Sequence, residues 1–137
     1  MKVLIVEPGE YPREAEIENT LEAEQGIVGG LIECVYPWEN DNAILVCDDS
    51  GLINGKPLNR AINEYTVIAG PFFICSQKGE NFASLTPQQI KKYKELLLAP
   101  QLFARGENGM MVRDCTPKMY RMMMGQPPTP HQKEQER

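Results

Sequence analysis

Residues 2–6 read KVLIV, one lysine followed by four apolar side chains, three of them β-branched, and Pro8 and Gly9 close the run. A short unbroken apolar run with that stop signal predicts a strand at the centre of a sheet. Working outward, Ala15–Glu18 predicts a second short extended segment. Asn19 stands before TLEAEQGIV with Glu22 three residues on, the spacing of a capping box. This predicts a helix over Thr20–Val28, with Leu21, Gln25 and Val28 on one face and Gly29 and Gly30 ending it. LIECVY (31–36) and AILVC (43–47) predict two strands, and the loop Pro37–Asn42 between them has a length suited to antiparallel pairing. Turns are expected at Asp48–Gly51 and Asn54–Gly55, and a short helical turn at Leu58–Asn63. Thr66–Ala69 and Phe72–Cys75 read as extended, bent at Gly70 and Pro71. Thr86, Pro87 and Gln89 give a second capping-box spacing, followed by Ile90, Tyr93 and Leu97 at helical intervals until Pro100 intervenes.

The resulting order, strand, helix, three strands, helix, predicts an α+β fold: a mostly antiparallel sheet of four to five strands with two short helices on one face. The 137 residues suit one ordinary domain and a tail. The ordered body is expected over 1–99, a methionine-rich, partly ordered extension over 100–125, and a polar, disordered tail over 126–137. Six of the seven methionines fall between Met110 and Met124. No internal repeat is visible.

Charge is distributed unevenly. The first 49 residues carry two basic side chains, Lys2 and Arg13, against twelve acidic ones, whereas the chain as a whole has 14 Lys and Arg against 19 Asp and Glu. Neutralising phosphates needs clustered Lys and Arg, so nucleic acid is not an expected partner. No apolar run approaches the roughly 20 residues of a membrane-spanning helix, so no membrane association is expected. Cys34, Cys47, Cys75 and Cys115 form no Cys-x-x-Cys pair, and three of them lie in apolar runs. They read as buried, reduced thiols of a cytoplasmic protein.

The usual catalytic parts are scarce. His131 is the one imidazole and lies in the expected tail, which removes a Ser-His-Asp or Cys-His site from consideration. Gly29 and Gly30 end a helix rather than open one, unlike a phosphate-binding loop. Asp48 and Asp49 lack the remaining carboxylates of a calcium loop and read as a turn. The clustered methionine sulfurs are of the kind that copper(I) takes, but adaptable apolar contact is the commoner use of such clusters. No catalytic residue, metal ligand or cofactor is assigned.

Two groups remain as candidate binding residues. Tyr36, Trp38, Asn59 and Arg60 offer stacking and charge pairing to a small anionic, nucleotide-like ligand. The same residues also suit a structural role, Trp38 closing the edge of the core and Asn59 tying a turn. Met119, Tyr120, Met122 and Met123, interleaved with Lys118 and Arg121 and preceded by Arg113, suit an amphipathic segment that docks on a protein partner.

The strings KVLIVEPG, IVGGLIECVYPWEN, AILVCDDSGLINGKPLNRAI and IAGPFFICSQKGENFASLTPQQIKKY, in that order, resemble a family of small domains of unknown function from bacteriophages and integrative elements of Firmicutes, domain of unknown function 3846. The resemblance covers about residues 1–97. It implies a mobile-element setting and a small α+β domain, and it brings no established activity and no catalytic residues. The expectation is a non-catalytic accessory protein of a bacteriophage or mobile element, in the bacterial host cytoplasm, that binds a host or element-encoded macromolecule. The alternative is a module that sequesters a nucleotide-like or other anionic metabolite.

Overall fold

Leu4, Ile74 and Leu45 stand directly opposite one another on three neighbouring strands and form the middle of the protein. Along the chain the elements are β1 (Lys2–Val6), β2 (Arg13–Glu16), α1 (Leu21–Val28), β3 (Ile32–Val35), β4 (Ala43–Asp48), β5 (Leu58–Asn63), β6 (Thr66–Ala69), β7 (Phe72–Lys78), β8 (Asn81–Ala83), α2 (Pro87–Leu96), β9 (Gln101–Gly106), β10 (Gly109–Asp114) and α3 (Pro117–Met124). This computed structural model describes residues 1–125. The expected disordered tail, 126–137, lies outside the described residues.

The main sheet runs β2-β1-β7-β4-β3, with β8 paired to β7, and every pairing is antiparallel. β5 and β6 form one separate hairpin, β9 and β10 another. The α+β class therefore holds, with a six-stranded sheet and a third helix. The central runs of β1, β4 and β7 (Val3–Val6, Ala43–Cys47 and Phe72–Cys75) are continuously apolar rather than alternating because both faces of the sheet are covered. On one face Leu4, Val6, Leu45, Phe72 and Ile74 pack with Ile90, Tyr93 and Leu97 of the α2 segment. On the other, Val3, Ile5, Ile44, Val46, Phe73 and Cys75 pack with Val28 of α1. The two helices thus lie on opposite faces, not on one.

Local signals explain the helix ends. Thr20, not Asn19, caps α1: its extended backbone lets Oγ1 accept from the Ala23 N–H at 3.2 Å. The Asn19 amide is spent elsewhere, donating to the Phe82 carbonyl. Gly29 closes the helix at φ +76°, and the Lys56 ammonium donates to the Val28 and Gly29 carbonyls at 2.8 and 3.0 Å. The inward face of α1 holds Glu24 and Val28, while Leu21 is exposed. In α2 the Thr86–Gln89 capping box is complete in both directions.

The expected helical turn at Leu58–Asn63 is instead strand β5. Two of its polar residues, Asn59 and Arg60, bury their side chains on distant carbonyls: the Asn59 amide donates to the Val6 and Gly70 carbonyls at 2.9 Å each. An extended backbone, with irregular register against β6, is what aims the side chains there. The methionine-rich extension is a hairpin followed by a helix, whose turn Gly106-Glu107-Asn108-Gly109 carries the Gly and Asn typical of tight hairpins.

Candidate functional site

Arg60 lies where the β1–β2 loop, the end of α2 and β5 meet. Its side chain is 1% exposed. Nε donates to the Leu97 carbonyl at 3.1 Å, Nη1 to the backbone and side-chain oxygens of Asn59 at 3.3 and 3.0 Å, and Nη2 to the Glu10 carbonyl at 2.7 Å. Every one of these acceptors is a neutral carbonyl oxygen. Leu97 caps the C-terminus of α2, where the helix dipole favours a cation. Burial lowers the guanidinium pKa to about 10, against the opposing effect of Cys115, Asp114 and Tyr120, so the group stays charged near neutrality.

Arg60 and Asn59 are two of the four residues that the sequence offers as candidate ligand-binding residues. The structure brings the two together, but their donors point at protein carbonyls rather than at a cleft. Trp38 sits apart, its ring on that of Tyr93 with centroids 4.4 Å apart and planes tilted by 41°. It closes the edge of the α2-side core. Beneath it the Tyr93 hydroxyl and the Gln89 side chain donate to Asp41, which holds that carboxyl below its ordinary pKa despite partial burial. Tyr36 is exposed. None of the four lines either of the hollows described below.

The extension offers the other candidate surface. Thr116 caps α3 by accepting from the Met119 N–H at 3.1 Å, and Pro117 occupies the first turn. Tyr120 is 3% exposed and Arg121 is buried as well. The Tyr120 ring rests on Gly9 so closely that a Cβ there would lie 2.2 Å from Cδ1, and Gly9 has φ +79°. Tyr120, which the sequence offers as a candidate partner-binding residue, therefore anchors the extension and is not part of its exposed surface. Met119, Met122 and Met123, at helical intervals i, i+3 and i+4, face outward, with Met122 and Met123 74% and 69% exposed. Together with Thr116 and Lys118 they line a shallow apolar hollow. A second cleft, of about 220 Å³, lies between extension and body, lined by Leu58, Gln101, Leu102, Phe103, Tyr120 and Met124.

Burial also shifts other titratable groups. Burial pushes the Cys47 and Cys75 thiols up to about 12, and Cys34 and Cys115 are raised as well. All four cysteines are free. Among the described residues, no group of three or more His, Cys, Asp or Glu side chains is placed to hold a metal ion, and no helix is long and apolar enough to cross a membrane. Next to Gly9, burial and then the charge and hydrogen bond of Glu7 raise Glu10 to about 7, opposed by Arg13, which is ion-paired to Glu7.

A family described as Domain of unknown function (DUF3846) matches residues 1–98. The chain belongs to this family. No curated protein and no solved structure matches it. The family domain ends at the close of α2, so β9, β10 and α3 lie beyond it, while Gly9 and Arg60, which receive and flank the extension, lie within it. The anchoring role of Tyr120 was missed because a tyrosine among methionines carries no signal of which way it faces. The hairpin had a signal, Asn108-Gly109 between LFAR and MMVR.

Two outcomes follow from this geometry. Gly9→Ala strains a positive-φ position and displaces the Tyr120 ring; a loss of about 2 kcal/mol or more in urea unfolding is expected, with amide exchange over 117–124 accelerated beyond that of β7. For Glu10, a folded-state pKa raised from 4.5 to about 7 means that the folded protein holds the extra proton in that interval. Its contribution to stability is complete below pH 4.5 and lost as pH rises through about 7, so Glu10→Gln should flatten that decline in a series of melting curves.

Proposed function

We propose that this protein is a non-catalytic accessory protein of a bacteriophage or mobile element, and that it binds a host or element-encoded macromolecule through the outer face of α3. The observation that carries this reading is the division of labour within one short helix: Tyr120 is buried against Gly9 of the family domain and Arg121 is buried as well, while Met119, Met122 and Met123 are exposed. Exposed methionines on an anchored helix make an adaptable apolar contact surface, because an unbranched thioether side chain repacks at low cost. Lys118 lines the same hollow, which favours a partner whose apolar groove is edged with carboxylates. The mobile-element setting rests on the sequence resemblance alone.

The reading of Arg60 as an anion ligand loses its support, since its N–H groups are engaged by the protein itself. The test is capture from lysate of the bacterial host with the full chain as bait, comparing the wild type with a Met122→Asp, Met123→Asp double variant. Both changes fall on exposed positions, so an unchanged melting point is expected together with at least about a tenfold loss of the captured protein. Capture that is unaffected by the double variant contradicts the assignment of α3.

A further inference from the structure

In an antiparallel ribbon, opposed residues alternate between pairs that exchange backbone hydrogen bonds and pairs that do not. In the extension, Gly106 lies opposite Gly109 across the turn Glu107–Asn108, and one step beyond the far end of the hairpin the Cys115 N–H donates to the Pro100 carbonyl at 2.8 Å. The bonded positions of β10 are therefore Gly109, Met111 and Arg113. By alternation, the N–H and C=O groups of Met110, Val112 and Asp114 point the other way, away from β9. β10 pairs with no other strand among the described residues, and none of those three residues' N–H groups finds a partner on that side. Every residue of β10 is exposed, including Met110, Met111 and Val112. A long apolar edge left open in this way is a template for another strand.

We propose that this edge pairs antiparallel with β10 of a second copy of the chain, about a two-fold axis through Val112. Such an axis stands perpendicular to the sheet and keeps each side chain on its own face. Val112 then lies opposite Val112, and Met110 opposite Asp114 on either side, so that all three outward residues of each copy exchange backbone hydrogen bonds. The neighbouring registers do less well. Centring the pair on Met111 leaves Asp114 without a partner; centring it on Arg113 leaves Met110 out and sets two guanidinium groups face to face. In the Val112 register Arg113 lies opposite Met111 and Asp114 opposite Met110, so no like charges meet. The two ribbons become one four-stranded sheet, past the size at which isolated hairpins are marginal. A strand pair of this length is smaller than a standard interface, which sets the equilibrium in the micromolar range or weaker. The dimer carries two α3 faces, and a partner with repeated sites would gain avidity from both.

Sedimentation velocity of the full chain across the micromolar range tests this. A reversible monomer–dimer equilibrium is expected, weakened at least about tenfold by Val112→Pro, which removes the central outward N–H without touching a bond to β9, and retained in Val112→Thr. Amide exchange of the wild type supplies a readout that needs no variant: Met110, Val112 and Asp114 should gain protection as concentration rises, while Met111 and Arg113 stay unchanged. The Met122→Asp, Met123→Asp protein should still dimerise, so this proposal and the partner-binding role of α3 fail separately. A monomer at every concentration, a dimer without the alternating protection, or one that disappears in the α3 variant overturns the proposal.

Discussion

A guanidinium buried among carbonyl oxygens is the constraint around which this protein is arranged. Arg60 reaches three parts of the chain that share no strand pairing: the β1–β2 loop through Glu10, the end of α2 through Leu97, and its own strand through Asn59. A buried cation loses its hydration, and only a full set of acceptors offsets that loss. Here the hydrogen-bond acceptors are neutral carbonyl oxygens, one of them at the negative end of a helix dipole, and the charge of Asp114 adds to them. Asn59, beside it, holds the end of β1 to Gly70 in the same manner. The loop so fixed contains Gly9, the seat of Tyr120. The position of the extension is thus inherited from a polar knot within the family domain.

The sequence was most legible where side-chain chemistry acts locally. The apolar runs of β1, β4 and β7, the glycine that closes α1 and the Thr86–Gln89 box depend on neighbours a few residues away, and they form where expected. Reading failed where long-range contacts decide. Nothing near Asn59 and Arg60 announces that their partners are at Val6, Glu10 and Leu97, so Leu58–Asn63 reads as a helical turn in the sequence and is a strand in the structure. The placement of α1 and α2 on opposite faces follows from how continuous apolar strands bury both sides. KVLIV and AILVC carry that signal, since no polar residue interrupts their apolar runs.

The candidate sites divide in the same way. The methionines at 119, 122 and 123 announce an apolar helix face through their spacing, and the structure leaves that face in solvent. Tyr120 and Arg60 are amphipathic side chains whose roles depend on orientation, and both are turned inward. The surface we propose for partners is therefore narrower than composition implies: the outer side of α3 and the outward edge of β10, both beyond the family domain.

Urea unfolding of Arg60→Met, combined with amide exchange, tests the central claim most directly. Methionine matches much of the aliphatic volume but withdraws the guanidinium hydrogen bonds from the Glu10, Leu97 and Asn59 carbonyls. The expected result is a loss of about 3 kcal/mol or more, at roughly 1 to 3 kcal/mol per stranded acceptor, with early loss of protection in the extension. Wild-type stability with α3 still protected would contradict the account and make the core of the sheet, rather than this polar knot, the support of the extension.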